Sequence, residues 1–285
     1  MPLNEKVVGK KYPSEPMEIT QHETIYYALA TNDDNDAYFD NRREGGIIAP
    51  PMFAVRYTAG PTAHVILDPE IGMNFMMVVH YSQEFKWLKA IKPGDVLITE
   101  GTITHIETRK KGGVVGWDTI TKNQNGEEVV LSKWEFFDRS AGDENVDEAK
   151  RTSAEPTEIL FTQQMKVRNG QTWIYAEPSG DHNPIHIDNK FATDVGLPGI
   201  ILQGLCTMAF GYKVFVDNVC GPDKDPIKLK RYRVQFARPV LPGQTLTFQG
   251  FKTGPVEEGG TKYGLIAKNE EGKDLLRDAW CVVEE

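Results

Sequence analysis

Alternating apolar and polar residues occur in four segments in each half of the chain. This alternation predicts half-buried β-strands, because successive side chains of a strand point to opposite faces of a sheet. The predicted strands are 78–85, 95–107, 114–122 and 129–137 in the first half and 228–237, 244–252, 261–268 and 275–283 in the second. Asn125-Gly126 and Glu271-Gly272 fall between the last two strands of each half, where we expect hairpin turns.

Helical patterns precede the strands in both halves. Residues 23–31 and 171–177 predict short helices that lead into turn-rich segments, and residues 204–217 predict a longer helix. The segment GLCTMAFGYKVFV at the start of the longer helix is apolar on nearly every side, which indicates that other elements bury it. A buried helix wrapped by a curled antiparallel sheet defines an α+β hot-dog fold.

Internal repetition predicts two copies of this fold. The segment 24–40 aligns with 172–188, and matches to glycine, proline and tryptophan residues continue in the same order through the predicted strands. We therefore predict a double hot-dog, with an N-terminal repeat at 1–139 and a C-terminal repeat at 158–285. Residues 140–157 are charged or small and have no apolar periodicity, which predicts a linker.

Composition and charge narrow the possible partners. The 285 residues are 40% hydrophobic and 26% charged, as is typical of globular domains. Lys and Arg number 32 against 41 Asp and Glu, so the net charge of −9 disfavours binding to nucleic acid or to an anionic membrane. Three cysteines without a CxxC pair, no signal-peptide pattern and no membrane-spanning apolar run predict a soluble, cytoplasmic protein.

The strongest candidate for chemistry is the segment 179–188, SGDHNPIHID. Asp181 and His186 are separated by a turn in which Pro184 forces Asn183 out of the helical region. Such a turn can direct a carboxylate and an imidazole at one water molecule, which is the arrangement that general acid–base catalysis requires.

A turn of this composition can also form for structural reasons alone. The first copy keeps the turn residues as Asp33 and Asn35, but Tyr38 occupies the position that corresponds to His186. Because this copy makes the turn without a histidine, His186 is better explained by chemistry than by folding. We predict that only the C-terminal repeat is catalytic.

These residues resemble a known family, the MaoC-like dehydratases, and more closely the (R)-specific, type 2 enoyl-CoA hydratases with two fused hot-dog halves. The resemblance depends on the segments 179–188, 204–207 (GLCT) and 236–246 (FARPVLPGQTL). It implies that water is added to a trans-2-enoyl-CoA to give the (R)-3-hydroxyacyl-CoA, or that the reverse dehydration occurs. The acyl-CoA is then the substrate, with no cofactor and no metal.

The family motif also implies individual roles. Asp181 and His186 would form the catalytic dyad around the water, Asn183 would help to orient it, and the backbone N–H of Gly204 would donate to the thioester oxygen. Elementary chemistry agrees, because hydration builds an enolate charge on that oxygen and a helix N-terminus offers unpaired N–H groups. The sequence leaves open which member of the dyad is the base.

Other residues are candidates for substrate binding. Ser179 and Gly180 belong to the motif, and Gln203 stands where the family commonly has a histidine. For the CoA phosphates the candidates are cationic, namely Arg231, Arg233 and Arg238, with Lys190 as a second possibility. The alternative for these basic residues is a charged strand edge that discourages pairing with other chains.

The N-terminal repeat is the candidate for accommodating the acyl chain. Its central helix is predicted to start after Pro51 and to end at Gly60-Pro61, which would leave space inside the repeat. Met73, Met76 and Met77 could line that space, or they could simply fill the core.

Three other functions stay open at this point. A hot-dog acyl-CoA thioesterase would use the same acyl-thioester pocket, and a non-catalytic acyl-thioester-binding subunit would share the fold. A metal site would need Asp181, His182 and His186 as ligands, but the sequence has no second Cys/His cluster near them. We expect a homodimer, and the sequence does not determine the acyl chain or the choice between CoA and acyl carrier protein.

Overall fold

The computed structural model describes residues 3–146, 156 and 158–284. The chain forms two compact units that do not follow chain order. The first unit comprises 1–17, 57–89 and 96–155, and the second comprises 18–56, 90–95 and 156–285. Most of the predicted linker lies outside the described residues, so the linker and the repeat boundaries stay predictions.

The first part of the chain forms the strands β1 (Lys11–Pro13), β2 (Met17–Glu18), β3 (Val78–Trp87), β4 (Val96–Arg109), β5 (Gly112–Lys122) and β6 (Glu128–Asp138). In the first unit they make an antiparallel sheet with the strand order β1-β4-β5-β6-β3. The rings of Trp117, Trp134 and Phe136 stack between neighbouring strands and form much of the core on this sheet.

The second unit contains the strands β7 (Phe161–Lys166), β8 (Leu229–Phe236), β9 (Thr245–Pro255), β10 (Thr261–Lys268) and β11 (Leu276–Val283). They form an antiparallel sheet with the strand order β8-β11-β10-β9-β7. Helix α6 (Gly204–Val219) packs on the sheet, and its Phe215 ring meets the Tyr232 ring of β8 edge to face. This is the buried helix that the apolar segment predicted.

The described residues form five further α-helices. They are α1 (Gln21–Ala30), α2 (Ala54–Leu67), α3 (Gln171–Ser179), α4 (Pro184–Ile187) and α5 (Asn189–Asp194). In the second unit α1 packs against α3, and the buried Tyr27 and Tyr175 hydroxyls lie 3.3 Å apart. In the described part of the chain, no helix is both long and apolar enough to cross a bilayer.

The predicted early end of the first central helix is wrong. Helix α2 has 14 residues, against 16 in α6, and continues through Pro61 to Leu67. Proline removes one helical hydrogen bond, but tertiary packing can keep a helix together in spite of this loss. Gly101 on β4 lies opposite, and a Cβ there would approach the Pro61 side chain to 3.2 Å. Because α2 does not end early, its length gives no support to the predicted acyl tunnel in the N-terminal repeat.

Candidate active site

The turn that contains Asp181 starts where helix α3 ends. Gly180 follows the last helical residue with a φ of 77°, a left-handed conformation that glycine adopts without steric cost. The buried Ser179 hydroxyl donates to the Tyr175 carbonyl at 2.7 Å and accepts from the N–H of Asp181 at 3.2 Å. Ser179 therefore fixes the direction in which the chain leaves the helix.

Two side-chain bonds then shape the turn. The N–H of Asn183 donates to Asp181 Oδ1 at 3.2 Å, and Asn183 Oδ1 accepts from the N–H of Ile185 at 3.3 Å. Asn183 thus caps the one-turn helix α4, in which Pro184 is the first residue. This helix carries His186 back toward Asp181.

Asp181 and His186 come together as the sequence predicted. His186 Nε2 lies 3.6 Å from Asp181 Oδ2, slightly longer than a direct hydrogen bond. The other ring nitrogen, Nδ1, lies 2.7 Å from the Ile201 carbonyl, which can only accept, so Nδ1 carries the hydrogen. The Nε2 atom of a neutral His186 is then an acceptor that faces the carboxylate. The His186 side chain is 9% exposed and that of Asp181 is 38% exposed, so the pair is open on the aspartate side.

The segment that leads into α6 contacts both ends of this turn. The Ile201 carbonyl holds His186, and Gln203 Nε2 donates to the carbonyls of Thr172 at 3.0 Å and of Asp181 at 3.4 Å. Gly204 is the first residue of α6, where backbone N–H groups have no acceptor within the helix. Asp181, His186 and the start of the buried helix are therefore held by one short stretch of chain.

Gln203 places a neutral amide where the resemblance implies a titratable histidine. Its side chain is fully buried, and its Oε1 atom has no hydrogen-bond partner among the described residues. The Gln203 amide anchors the turn through its donor and leaves one acceptor unused.

The four predicted phosphate-binding residues all contact other residues of the second unit. Lys190 Nζ lies 2.7 Å from Asp194, Arg233 Nε lies 3.0 Å from Asp278, Arg238 donates to the Asp274 carbonyl at 2.7 Å, and the Arg231 guanidinium lies 5.1 Å from the Trp280 ring centre. None of these contacts reaches Asp181 or His186. The part of these residues in CoA binding stays a prediction.

His182, which a metal site would need, does not join the pair. Its Nε2 atom lies 3.2 Å from the Glu177 carboxylate. Among the described residues, no three His, Cys, Asp or Glu side chains are arranged to hold a metal ion.

The first copy of the turn has matching hydrogen bonds from backbone N–H groups to side-chain oxygens, but different residues pack around it. The N–H of Asn35 donates to Asp33 Oδ1 at 3.2 Å, and Asn35 caps the following helical turn. Asp33 is buried, however, and lies 3.7 Å from Lys213 of α6. Burial raises the pKa of Asp33 to about 6 although Lys213 opposes the shift. Tyr38, at the histidine position, has a buried hydroxyl without a partner in the described chain.

One residue of the site was missed by the sequence analysis. Arg56 lies near the start of α2, and a Cβ built on Gly180 would be 3.1 Å from its Nη1 atom. The guanidinium therefore lies against the backbone that connects Ser179 to Asp181. No periodicity or motif signals this contact, because the two residues are far apart in sequence.

Comparison with known proteins gives matches along nearly the whole chain. Two family models fit, one described as a FAS1-like dehydratase domain region at 6–132 and one as a MaoC like domain at 151–273. A protein of Dictyostelium discoideum named probable enoyl-CoA hydratase 2 is 26% identical, covering 98% of this chain and 96% of its own length. Peroxisomal multifunctional enzyme type 2 of Mus musculus is 28% identical over 87% of this chain, which spans 35% of that enzyme.

Solved structures share the fold. A crystal structure of a MaoC-like dehydratase from Phytophthora capsici matches with a TM-score of 0.83 at 22% identity, covering 100% of this chain and 98% of the other. The class of protein is therefore the predicted α+β double hot-dog. Within that class, the chain matches a FAS1-like dehydratase domain region in its first half and a MaoC like domain in its second, and the prediction that it is an enzyme of the hydro-lyase type is confirmed.

Proposed function

We propose that this enzyme hydrates trans-2-enoyl-CoA to (R)-3-hydroxyacyl-CoA, or catalyses the reverse dehydration, with Asp181 and His186 as its catalytic dyad. The single observation that carries the proposal is the 3.6 Å approach of His186 Nε2 to Asp181 Oδ2, with the imidazole oriented by the Ile201 carbonyl. A relative named probable enoyl-CoA hydratase 2, which matches this chain along nearly its whole length, supports the substrate class.

In the proposed reaction the dyad holds one water molecule. A neutral His186 and an ionised Asp181 both offer acceptors to the two hydrogens of a water placed between them. The oxygen of that water attacks C3 of the enoyl thioester, one proton passes to the dyad, and a proton is delivered to C2. Two groups of different basicity within reach of one water satisfy these requirements.

The charge that forms during this addition resides on the thioester oxygen. We assign its stabilisation to the N–H of Gly204 and to the positive end of the α6 dipole. Gly204 lies one residue from Gln203, which bonds the Asp181 carbonyl, so the helix start and the dyad are neighbours. Asn183 keeps the turn in shape through its bonds to Asp181 and Ile185.

Crotonyl-CoA tests the proposal directly. Adding the protein should abolish the ultraviolet absorbance of the conjugated thioester, and chiral analysis should identify the product as (R)-3-hydroxybutyryl-CoA. Release of CoA thiol instead would identify a thioesterase, and unchanged crotonyl-CoA would identify a non-catalytic binding subunit. Either result would contradict the proposal.

Four further statements stay predictions: that the enzyme needs no cofactor, that it is a homodimer, that it is cytoplasmic, and that the N-terminal repeat accommodates the acyl chain. Activity after exhaustive chelation and dialysis tests the first, and light scattering of the purified protein tests the second.

A further inference from the structure

Each copy of the turn in the second unit lies beside one cation from a central helix. Lys213 of α6 lies beside the first turn, at 3.7 Å from Asp33 and 2.9 Å from Asp34. Arg56 of α2 lies beside the second turn, against Gly180. The two cations differ in what neutralises them.

The Lys213 ammonium group is paired with carboxylates of the same unit. Its side chain is 12% exposed, and besides the two aspartates of the turn it contacts Asp217 at 3.2 Å. These carboxylates raise its pKa although burial works in the opposite direction. Lys213 therefore holds the first turn on α6.

Arg56 has no such partner. Its side chain is half-buried, and within the described part of the chain it makes no hydrogen bond and no ion pair. No acidic residue lies in the first turn of α2, where the helix dipole disfavours a cation. A guanidinium has five N–H donors and no acceptor, so one without a protein partner is free to bind the acceptor oxygens of a ligand.

The position of Arg56 indicates where such oxygens come from. Gly180 immediately precedes Asp181, so the guanidinium lies next to the residue that we place in the dyad. With a φ of 77° and no side chain, Gly180 allows the guanidinium to approach the backbone, since a Cβ would lie 3.1 Å from Nη1. A group that enters this end of the site can therefore donate such oxygens to Arg56 as hydrogen-bond acceptors.

We propose that Arg56 is a substrate-binding residue that pairs with an anionic oxygen of the enoyl thioester, an inference that rests on the proposed function. The chemistry shared by the possible sources is an anionic oxygen, that of a phosphate or of a carboxylate. It belongs either to the carrier or to a polar group on the acyl chain.

Three substrates separate these sources: crotonyl-CoA, the N-acetylcysteamine thioester of crotonate, and glutaconyl-CoA, which bears a carboxylate at the far end of the acyl chain. The variant is Arg56→Gln. The matched control is Arg168→Gln, which removes the same charge from an exposed position of the same unit.

A contact to the carrier predicts that Arg56→Gln lowers kcat/KM about tenfold for both CoA thioesters and leaves the truncated thioester unaffected, as loss of a bond to a charged group requires. A contact to the acyl chain predicts a loss of that size for glutaconyl-CoA alone. Values equal to those of Arg168→Gln for all three substrates would overturn the proposal. An equal loss for all three would also overturn it, because the effect would then be on the turn itself.

Calorimetric titration distinguishes failure of this inference from failure of the proposed function. A wild-type protein that hydrates none of the substrates contradicts the proposed function. The affinities of the wild type and of Arg56→Gln for crotonyl-CoA and glutaconyl-CoA still decide the role of Arg56. If the two proteins bind each thioester with equal affinity, or if the wild type binds neither, the proposed role of Arg56 is contradicted.

Discussion

Two aspartates in the same kind of turn, Asp33 and Asp181, lie in different electrostatic surroundings. Asp33 is buried and faces Lys213, whereas Asp181 is more than a third exposed and faces His186. Because the backbone bonds of the two turns match, the difference comes from the residues packed around them. The first turn has Tyr38 in place of the histidine, and the second has the groups that the proposed hydration needs.

Burial makes Asp33 a source of pH-dependent stability. Its pKa in the folded protein is about 6, above the ordinary 3.8, so the folded state holds a proton that the unfolded state releases between these values. The stabilisation is complete below about pH 4 and is lost as the pH rises through about 6.

For Asp33→Asn we therefore predict a free energy of unfolding that declines less between about pH 4 and pH 7 than that of the wild type. Lys213 keeps Asp34 and Asp217 as partners in this variant. Urea denaturation at the two pH values measures the difference. Asp36→Asn, at an exposed position in the same turn, should follow the wild-type pH dependence. Parallel curves for Asp33→Asn and wild type would refute the assignment.

At the scale of elements, the contact between α6 and β8 sets how closely the buried helix approaches the sheet. Gly211 of α6 faces Tyr232 of β8, and a Cβ on Gly211 would lie 2.2 Å from the Tyr232 hydroxyl oxygen. That hydroxyl is buried and has no partner in the described chain. Glycine is needed at position 211 because a side chain there would collide with the Tyr232 hydroxyl. Since that hydroxyl makes no hydrogen bond in the described chain, its removal breaks none.

This contact predicts strong coupling between two substitutions. Gly211→Ala should lower the free energy of unfolding by about 1–3 kcal/mol, the usual effect of overpacking a core. Tyr232→Phe should change it little and should recover most of the loss in the double variant. Chemical denaturation of the four proteins measures the coupling, and strictly additive effects would show that the hydroxyl is not the obstacle.

Periodicity predicted most elements of the sheets but not all of them. The eight strands that the alternation predicted are present, each with ends within three residues of the expected positions. Strands β1, β2 and β7 were missed, because they are short and contain few apolar residues. The end of α2 was misplaced because Pro61 is accommodated opposite Gly101, a contact that no local rule reveals.

At the scale of the whole molecule, the two compact units could not be predicted from the order of residues along the chain. Residues 18–56, from the first half of the sequence, belong to the same unit as the C-terminal repeat. The motif was sufficient to predict that Asp181 and His186 meet, since both lie in one local turn. Arg56 and Lys213 could not be found in this way, because their partners lie far along the chain and are brought close only by the fold.

The repeat within one chain also provides an internal control for the central claim. Asp181→Asn and Asp33→Asn are the same chemical change in the two copies of the turn, so a comparison of their turnover isolates the catalytic copy. The decisive measurement is kcat/KM for the hydration of crotonyl-CoA by the two variants and the wild type. We predict a loss of about 10²–10⁴-fold for Asp181→Asn, the usual contribution of acid–base catalysis, and a value close to wild type for Asp33→Asn. Equal losses in both variants, or full turnover by Asp181→Asn, would contradict the assignment of catalysis to the second turn.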